Sequence, residues 1–251
     1  MHMGGKLTGY KGTPEGWVLE PMNLCLELMP SRGINKKKDW ETELGDKVTD
    51  KTVQVRGVPR IWPEHLDANP KDEDSNPSHT MELHPLVRLV NGGDSYDFSS
   101  FIYAPEGFPG VKTKTSRAML TQTKVKVRTN ADGMVDVSFD SIRMIGNFAQ
   151  LQITIERGSI TEQQGSHFMD GVAVAETEDP TGVRLITIAG SEVDDTVKKI
   201  KQDKKKFVTL NVLVLFSLNP ATLYAAAQHS NGQWEDVETP IQLIVYGTVE
   251  E

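Results

Sequence analysis

The sequence has very little cysteine. Its 251 residues include one cysteine, which excludes an internal disulfide framework and any zinc or iron–sulfur site built from several cysteines. No stretch approaches the roughly 18 consecutive apolar residues of a membrane-spanning helix. The dinucleotide-binding motif G-x-G-x-x-G after a strand, the phosphate-binding motif G-x-x-x-x-G-K-[ST] and the nucleophile motif G-x-S-x-G are also missing. Nucleotide-dependent and α/β-hydrolase chemistry are therefore unsupported.

The charge balance of the chain is acidic. Thirty-five acidic residues against 27 basic residues give a formal net charge of -8. This balance argues against nucleic-acid binding through the whole surface, so nucleic acid is not the expected partner. The first five residues lack the apolar core of a signal peptide. The sequence favours a soluble, cytoplasmic protein, and secretion is the alternative if a leader has been removed ahead of Met1.

Alternation of apolar and polar residues with a period of two dominates the chain, which predicts strands. At 123–129 Val125 and Val127 alternate with basic residues, and a turn at 130–133 leads into a second alternating stretch at 134–139, so a hairpin is predicted. Turn signals at intervals of roughly ten residues predict a β-sandwich or barrel. Further strands are predicted at 23–29, 52–58, 81–90, 151–155, 172–175, 183–188, 207–218, 223–228, 234–237 and 241–249.

One amphipathic helix is predicted at 191–206. Ser191 suits the N-cap position, with Asp194 in the place of the capping-box glutamate. Val193, Val197 and Ile200 form one apolar stripe. Acidic residues at the start and lysines near the end match the helix macrodipole.

A segment rich in proline and glycine at 104–110 predicts the boundary between two domains, 1–110 and 111–251. The first half contains more glycine, proline and long loops than the second. Its segment 67–78 is too polar to be core and is interpreted as an excursion between two strands.

The densest group of chemically capable residues is His65, His79, Glu82 and His84. If the strand at 81–90 is extended, Glu82 and His84 share one face, and a hairpin with a long loop brings His65 near them. The imidazoles of His65 and His84 and the carboxylate of Glu82, with His79 as a possible fourth group, suit zinc or a non-haem metal. They also suit the orientation of a hydrolytic water. The alternatives are a structural role, in which Glu and His pair with each other, and a contact to a ligand other than a metal. No catalytic residue is assigned.

Three short motifs in this region carry a resemblance to a known kind of domain. V-Q-V-R-G-V at 53–58, P-E-H at 63–65 and S-H-T-M-E-L-H-P-L at 78–86 follow one another across a loop. Together they resemble bacterial OB-like small β-barrel domains, which carry a V-x-G strand, a histidine after it, and an E-[IL]-H-P strand. Met81 stands where those domains often have an aromatic residue. The resemblance covers about 20–105, whereas 111–251 resembles no known family.

The resemblance implies a five-stranded barrel with the histidine and glutamate near its rim, but it settles no activity. The expected fold class is therefore mainly β. An OB-like small barrel precedes a β-sandwich-like domain that carries the single amphipathic helix.

A lysine-rich stretch occupies the predicted helix and its end. One interpretation is a solvated helix face, because helix C-termini attract cations. The other is a local contact to phosphate, another polyanion or acidic lipid on an otherwise acidic protein. The residues are Lys198, Lys199, Lys201, Lys204, Lys205 and Lys206.

These observations lead to three hypotheses for function. The first is a non-catalytic binding or assembly module that contacts another protein chain or a glycan through loops or strand edges. Such a module includes the case of a homo-oligomer. The second is a metal-dependent hydrolase, for phosphodiesters among other substrates, that uses the His/Glu group with zinc as cofactor. The third is a polyanion-binding protein that uses the lysines.

Overall fold

The computed structural model describes residues 2–7, 22–27, 40–65, 79–98, 119–120, 122–140, 148–174, 180–238 and 240–249. The chain divides into two compact units, Met1–Phe101 and Ile102–Glu251. Strands predominate in the chain as a whole. The segments in which we predicted the domain boundary, 104–110, and the polar excursion, 67–78, lie outside the described residues.

The described residues of the first unit form a five-stranded sheet and one helix. Its elements are β1 (His2–Leu7), β2 (Met22–Glu27), α1 (Trp40–Val48), β3 (Gln54–His65), β4 (His79–Asn91) and β5 (Asp94–Asp97). The strand β4 is central, because β3 pairs antiparallel along one edge while β2 and β5 pair with the other. The strand β1 extends the sheet beyond β2. The alternation predicted β2, β3 and β4, whereas α1 was not predicted.

An apolar core lies against this sheet. Leu44 of α1 is fully buried together with Leu86 and Leu89 of β4. Met81 and Leu83, which alternate along β4 with Glu82 and His84, pack against the same core. Between Met81 and His84, the other parity of β4 carries the polar side chains of Glu82 and His84.

The described residues of the second unit include nine strands, two α-helices that are described over their whole length, and a short 3-10 helix at Arg157–Ser159. The strands are β6 (Lys124–Thr129), β7 (Val135–Asp140), β8 (Phe148–Glu156), β9 (Thr161–Gln163), β10 (Ser166–Val174), β11 (Thr181–Thr187), β12 (Phe207–Leu218), β13 (Glu235–Asp236) and β14 (Ile241–Thr248). The helices are α2 (Glu192–Gln202) and α3 (Pro220–His229). None of the helices within the described ranges is long and apolar enough to cross a membrane.

Five of these strands close into a barrel. Each strand pairs with the next in the order β8, β10, β11, β14 and β12, and β12 pairs with β8 again. The pairing of β11 with β14 is parallel and the others are antiparallel. The strand β12 lies between β14 and β8, and its second half is buried on both faces, as its apolar run predicted.

The barrel corrects one expectation. The predicted fold class, mainly β with a small five-stranded barrel, is confirmed. However, the closed barrel lies in the second unit, where we expected a sandwich-like domain, and the described strands of the first unit pair without closing. Closure depends on the parallel pairing of β11 with β14, two strands far apart along the chain. Alternation identifies strands but does not show which of them pair.

The hairpin of β6 and β7 forms as predicted. The turn at 130–133 is held by Asn130, whose side-chain oxygen accepts hydrogen bonds from the backbone nitrogens of Met134 at 2.9 Å and Asp132 at 3.1 Å. Gly133 has a positive φ of 77°, which glycine adopts without steric cost. Val127 is buried, and β13 pairs with β6 to complete a three-stranded sheet.

The helix α2 begins where the sequence predicts and ends earlier than residue 206. The Ser191 side chain accepts a hydrogen bond from the backbone nitrogen of Asp194. Val193, Val197 and Ile200 are buried, which confirms the predicted apolar stripe. The carboxylate of Asp194 does not complete a capping box, since it bonds to other partners in the barrel.

The strand predicted at 223–228 is wrong, because this segment belongs to the helix α3. The Asn219 side chain accepts hydrogen bonds from the backbone nitrogens of Ala221 and Thr222. Pro220 suits the first helical position, and the alanines at 225–227 are strong helix formers. A short apolar run does not separate strand from helix by periodicity alone. In the described part of the second unit, α3 therefore adds a second α-helix to the predicted one.

We predict that Gly57→Ala destabilises the first unit. A Cβ on Gly57 would lie 2.7 Å from the backbone oxygen of Pro85 and 2.8 Å from the Cβ of Leu83, so β3 and β4 would have to move apart. We expect a loss of about 1–3 kcal/mol in the free energy of unfolding, measured by urea denaturation of the full chain. Gly45→Ala is the control, because a Cβ there meets open space and favours the helix by up to about 1 kcal/mol. Equal stability of the two variants would contradict the prediction.

Candidate functional site

The residues that the sequence singled out in the first unit lie around the carboxylate of Glu82. Arg60 on β3 is the cross-strand partner of Glu82 on β4, and its Nη1 donates a hydrogen bond to Glu82 Oε2 at 2.7 Å. His84 Nδ1 lies 3.2 Å from the same oxygen. His79 Nε2 lies 3.3 Å from Oε1. One carboxylate therefore accepts from three donors on two strands, and we call these four residues the Glu82 cluster.

The Glu82 cluster is buried. The exposed fractions are 0% for Arg60, 4% for His79, 1% for Glu82 and 0% for His84. Burial raises the pKa of Glu82, but the hydrogen bonds from His79 and His84 and the charge of Arg60 outweigh it. They hold that pKa far below its ordinary value of 4.5. Glu82 is therefore an ionised carboxylate inside the protein and a weak base.

Local strand geometry brings the donors together. Glu82 and His84 are two residues apart on β4 and share a face, as the alternation predicts. His79 has the opposite parity, so its contact with Glu82 was not predicted. The pairing of β3 with β4 is irregular between Ile61 and His65, directly beside His79, and such irregularities re-aim side chains at the end of a strand pair.

The structure adds Arg60 to the predicted group and does not describe the side chain of His65. The backbone of His65 is the register partner of His79 rather than of His84, and the side chain of His65 lies outside what the structure describes. Arg60 was not predicted, although it is buried and its guanidinium carbon lies 5.2 Å from the ring centre of Trp62. Alternation along β3 puts Arg60 and Trp62 on one face. Only the register of β3 against β4 sets Arg60 opposite Glu82.

The chemistry of the Glu82 cluster favours a structural role over a metal site. The Arg60 guanidinium already holds Glu82 Oε2 and adds a positive charge where a cation would have to bind. Within the described ranges, no group of three or more His, Cys, Asp or Glu side chains is placed to hold a metal ion. A buried carboxylate with a low pKa is also poorly matched to general-base catalysis near neutral pH.

A second buried carboxylate, Asp194 of α2, bonds to side chains of the barrel strands. Its Oδ1 accepts hydrogen bonds from His167 Nδ1 at 2.7 Å and from Thr187 Oγ1 at 2.5 Å, and its Oδ2 lies 3.0 Å from Lys198 Nζ. Burial raises the pKa of Asp194, and the hydrogen bonds from Thr187, His167 and Lys198 together bring it below its ordinary value. These contacts fasten α2 to β10 and β11.

His167 was not predicted from the sequence. His167 shares a face of β10 with Met169 and Ala173, which are buried. The alternation along this strand could therefore have indicated a buried histidine. Its other ring nitrogen, Nε2, lies 3.8 Å from Glu162 Oε2.

The lysines predicted to bind polyanions occupy the end of α2 and the turn into β12. Lys198 is held by Asp194 and by Asp195 Oδ1, which is 3.2 Å away. Lys206 Nζ lies 3.7 Å from Glu156 Oε1. The other four are exposed and make no ion pair with a carboxylate of the described residues. We call these four residues the lysine surface: Lys199, Lys201, Lys204 and Lys205.

Comparison with known proteins gives no relative. No family model, no curated protein and no solved structure matches the chain. The resemblance of 20–105 to OB-like small barrel domains therefore stays a prediction.

We predict that Glu82→Gln strongly destabilises the first unit. The amide leaves the buried charge of Arg60 uncompensated, which costs about 3 kcal/mol in the free energy of unfolding. Urea denaturation of the full chain measures the loss. Asp94→Asn is the matched control, since the ion pair of Asp94 with Lys47 is exposed and such pairs contribute little. A Glu82→Gln variant as stable as this control would show that the cluster is not needed for stability.

We also predict a pH dependence that Glu82 carries. Because its pKa is lowered in the folded state, the folded protein keeps Glu82 ionised while the unfolded chain takes up a proton below its ordinary pKa of 4.5. The free energy of unfolding therefore falls as pH decreases below that value. Denaturation between pH 7 and pH 3 should show a smaller decrease for Glu82→Gln than for the unaltered chain. Parallel decreases in both would contradict this assignment.

Proposed function

We propose that this protein is a non-catalytic binding module that contacts a glycan or another protein chain. The observation that carries the proposal is the burial and mutual pairing of the Glu82 cluster. Its four side chains are at most 4% exposed, and each contacts or is contacted by Glu82. On this proposal these residues stabilise the first unit, and a partner binds elsewhere.

The outer wall of the barrel supports a binding role. Thr154 on β8 and Thr209 on β12 are hydrogen-bonded across the strand pair at 2.9 Å. Next to them, the Gln152 amide donates to Asn211 at 3.4 Å. Uncharged hydroxyl and amide groups of this kind exchange hydrogen bonds with the hydroxyl groups of sugars or the polar groups of a protein. Small five-stranded barrels of the OB type bind oligonucleotides and oligosaccharides through strands and loops, which is an analogy of architecture alone.

The alternative is a metal-dependent hydrolase that uses His65, His79, Glu82 and His84. The position of Arg60 weighs against it, because a cation at Glu82 would first have to displace the guanidinium from a distance of 2.7 Å. Displacement would leave a buried arginine without its charge partner. The two hypotheses therefore differ in what they predict for metal binding.

We predict binding without turnover. The full chain is mixed with a panel of soluble oligosaccharides and followed by ligand-observed NMR, and its self-association is followed by sedimentation. We expect binding of a glycan or formation of a specific assembly, and every sugar is recovered at unchanged mass. Addition of EDTA or zinc leaves the melting temperature unchanged, because no metal contributes to the folded state.

Two results would contradict the proposal. The first is hydrolysis of bis(p-nitrophenyl) phosphate that zinc stimulates and EDTA abolishes, which would favour the hydrolase. The second is a monomer that binds none of the sugars and retains no partner chain.

A further inference from the structure

The end of α2 concentrates positive charge on an acidic protein. Residues 198–206 contain six lysines and one aspartate, a net charge of +5, in a chain whose net charge is -8. Two of these lysines are held by carboxylates, Lys198 by Asp194 and Asp195 and Lys206 by Glu156. The four ammonium groups of the lysine surface are exposed to solvent, so an anion can contact them.

The backbone beneath the lysine surface is fixed. The Asp203 carboxylate accepts hydrogen bonds from the backbone nitrogens of Lys204 at 2.6 Å and Lys205 at 3.2 Å. Arg157 Nη1 donates to the carbonyl oxygen of Asp203 at 2.8 Å, and the Arg157 backbone nitrogen donates to Lys206 O at 2.9 Å. The turn is therefore tied to the barrel on both sides. An ordered turn costs less conformational entropy when a partner binds.

An exposed aromatic ring borders the lysines. Phe207 begins β12 and is 53% exposed, and Lys206 Nζ lies 5.0 Å from its ring centre. Two residues farther along β12 is Thr209, which is paired with Thr154 on the polar wall of the barrel. Cations, one apolar ring and hydroxyl groups thus follow one another over a short stretch of strand and turn.

We infer that the lysine surface binds an anionic polysaccharide, with its carboxylate or sulfate groups on the lysines and a sugar ring on Phe207. This inference rests on the proposed function and names its partner. Charge complementarity requires a polyanion, and the hydroxyl and amide groups beyond Phe207 suit the hydroxyl groups of sugars. Single-stranded nucleic acid is the less favoured polyanion, since it uses a series of stacking aromatics, whereas Phe207 is the exposed aromatic in this stretch.

The experiment measures heparin binding to the full chain by isothermal titration at several salt concentrations. The test variant is Lys204→Gln with Lys205→Gln, and the matched control is Lys124→Gln with Lys126→Gln. The control removes the same number of charges from two exposed positions of β6 in the same unit, of which Lys126 pairs with Asp236 at 3.7 Å. We expect the test variant to bind roughly tenfold more weakly and to lower the slope of log K against log salt by about two, while the control stays within about twofold of the unaltered chain.

Phe207→Ala separates the ring contact from the charges. We expect it to weaken heparin binding about fivefold without changing the salt slope, because it removes an apolar contact and no cation. Far-UV circular dichroism checks that each variant keeps its fold. A salt slope that fell with Phe207→Ala would overturn the assignment of the sugar ring to this residue.

Three further outcomes would overturn the inference. The first is equal loss of heparin affinity in the two double variants. The second is tighter binding of poly(dT) or of phosphatidylserine vesicles than of heparin at the same salt, which would assign the surface to nucleic acid or to membrane. The third is no heparin binding at all. If uncharged glycans or a partner chain still bind in that case, the binding module stands and the lysine inference fails, whereas absence of every partner would contradict both.

Discussion

A carboxylate taken out of water has to be compensated by donors and positive charge, and each unit of this protein is organised around one such group. In the first unit Glu82 joins β3 to β4 through Arg60. In the second unit Asp194 joins α2 to the barrel through His167 and Thr187. Both carboxylates are at most 1% exposed. The strand register of the first unit and the seating of α2 in the second are therefore tied to charge pairs that tolerate little displacement.

The two buried carboxylates also hold three histidines inside the protein. The sequence suggested His79 and His84 as metal ligands, but both donate hydrogen bonds to Glu82. Their chemistry contributes to the stability of the fold. In the second unit, the exposed groups include the lysine surface, the hydroxyl and amide groups of β8 and β12, and the ring of Phe207. Lys198 lies at the surface of α2 and contacts the buried carboxylate of Asp194.

Much of the local structure could be predicted from the sequence. The hairpin of β6 and β7, the bounds of β12 and the start of α2 follow from alternation, turn residues and capping, which depend on neighbours along the chain. The shared face of Glu82 and His84 follows from the period of a strand. The helix α3 was not predicted, because a short apolar run fits both periods and Asn219 with Pro220 was not recognised as a helix start.

The sequence by itself determined the mainly β class, most strand positions, and the shared face of Glu82 and His84. The tertiary structure decided which strands pair, so the barrel closed in the second unit through β11 and β14. It also set Arg60 opposite Glu82 and brought His167 to Asp194. The physical reason is that periodicity is a property of neighbours along the chain. Pairing and charge compensation depend on residues that only the folded register brings together.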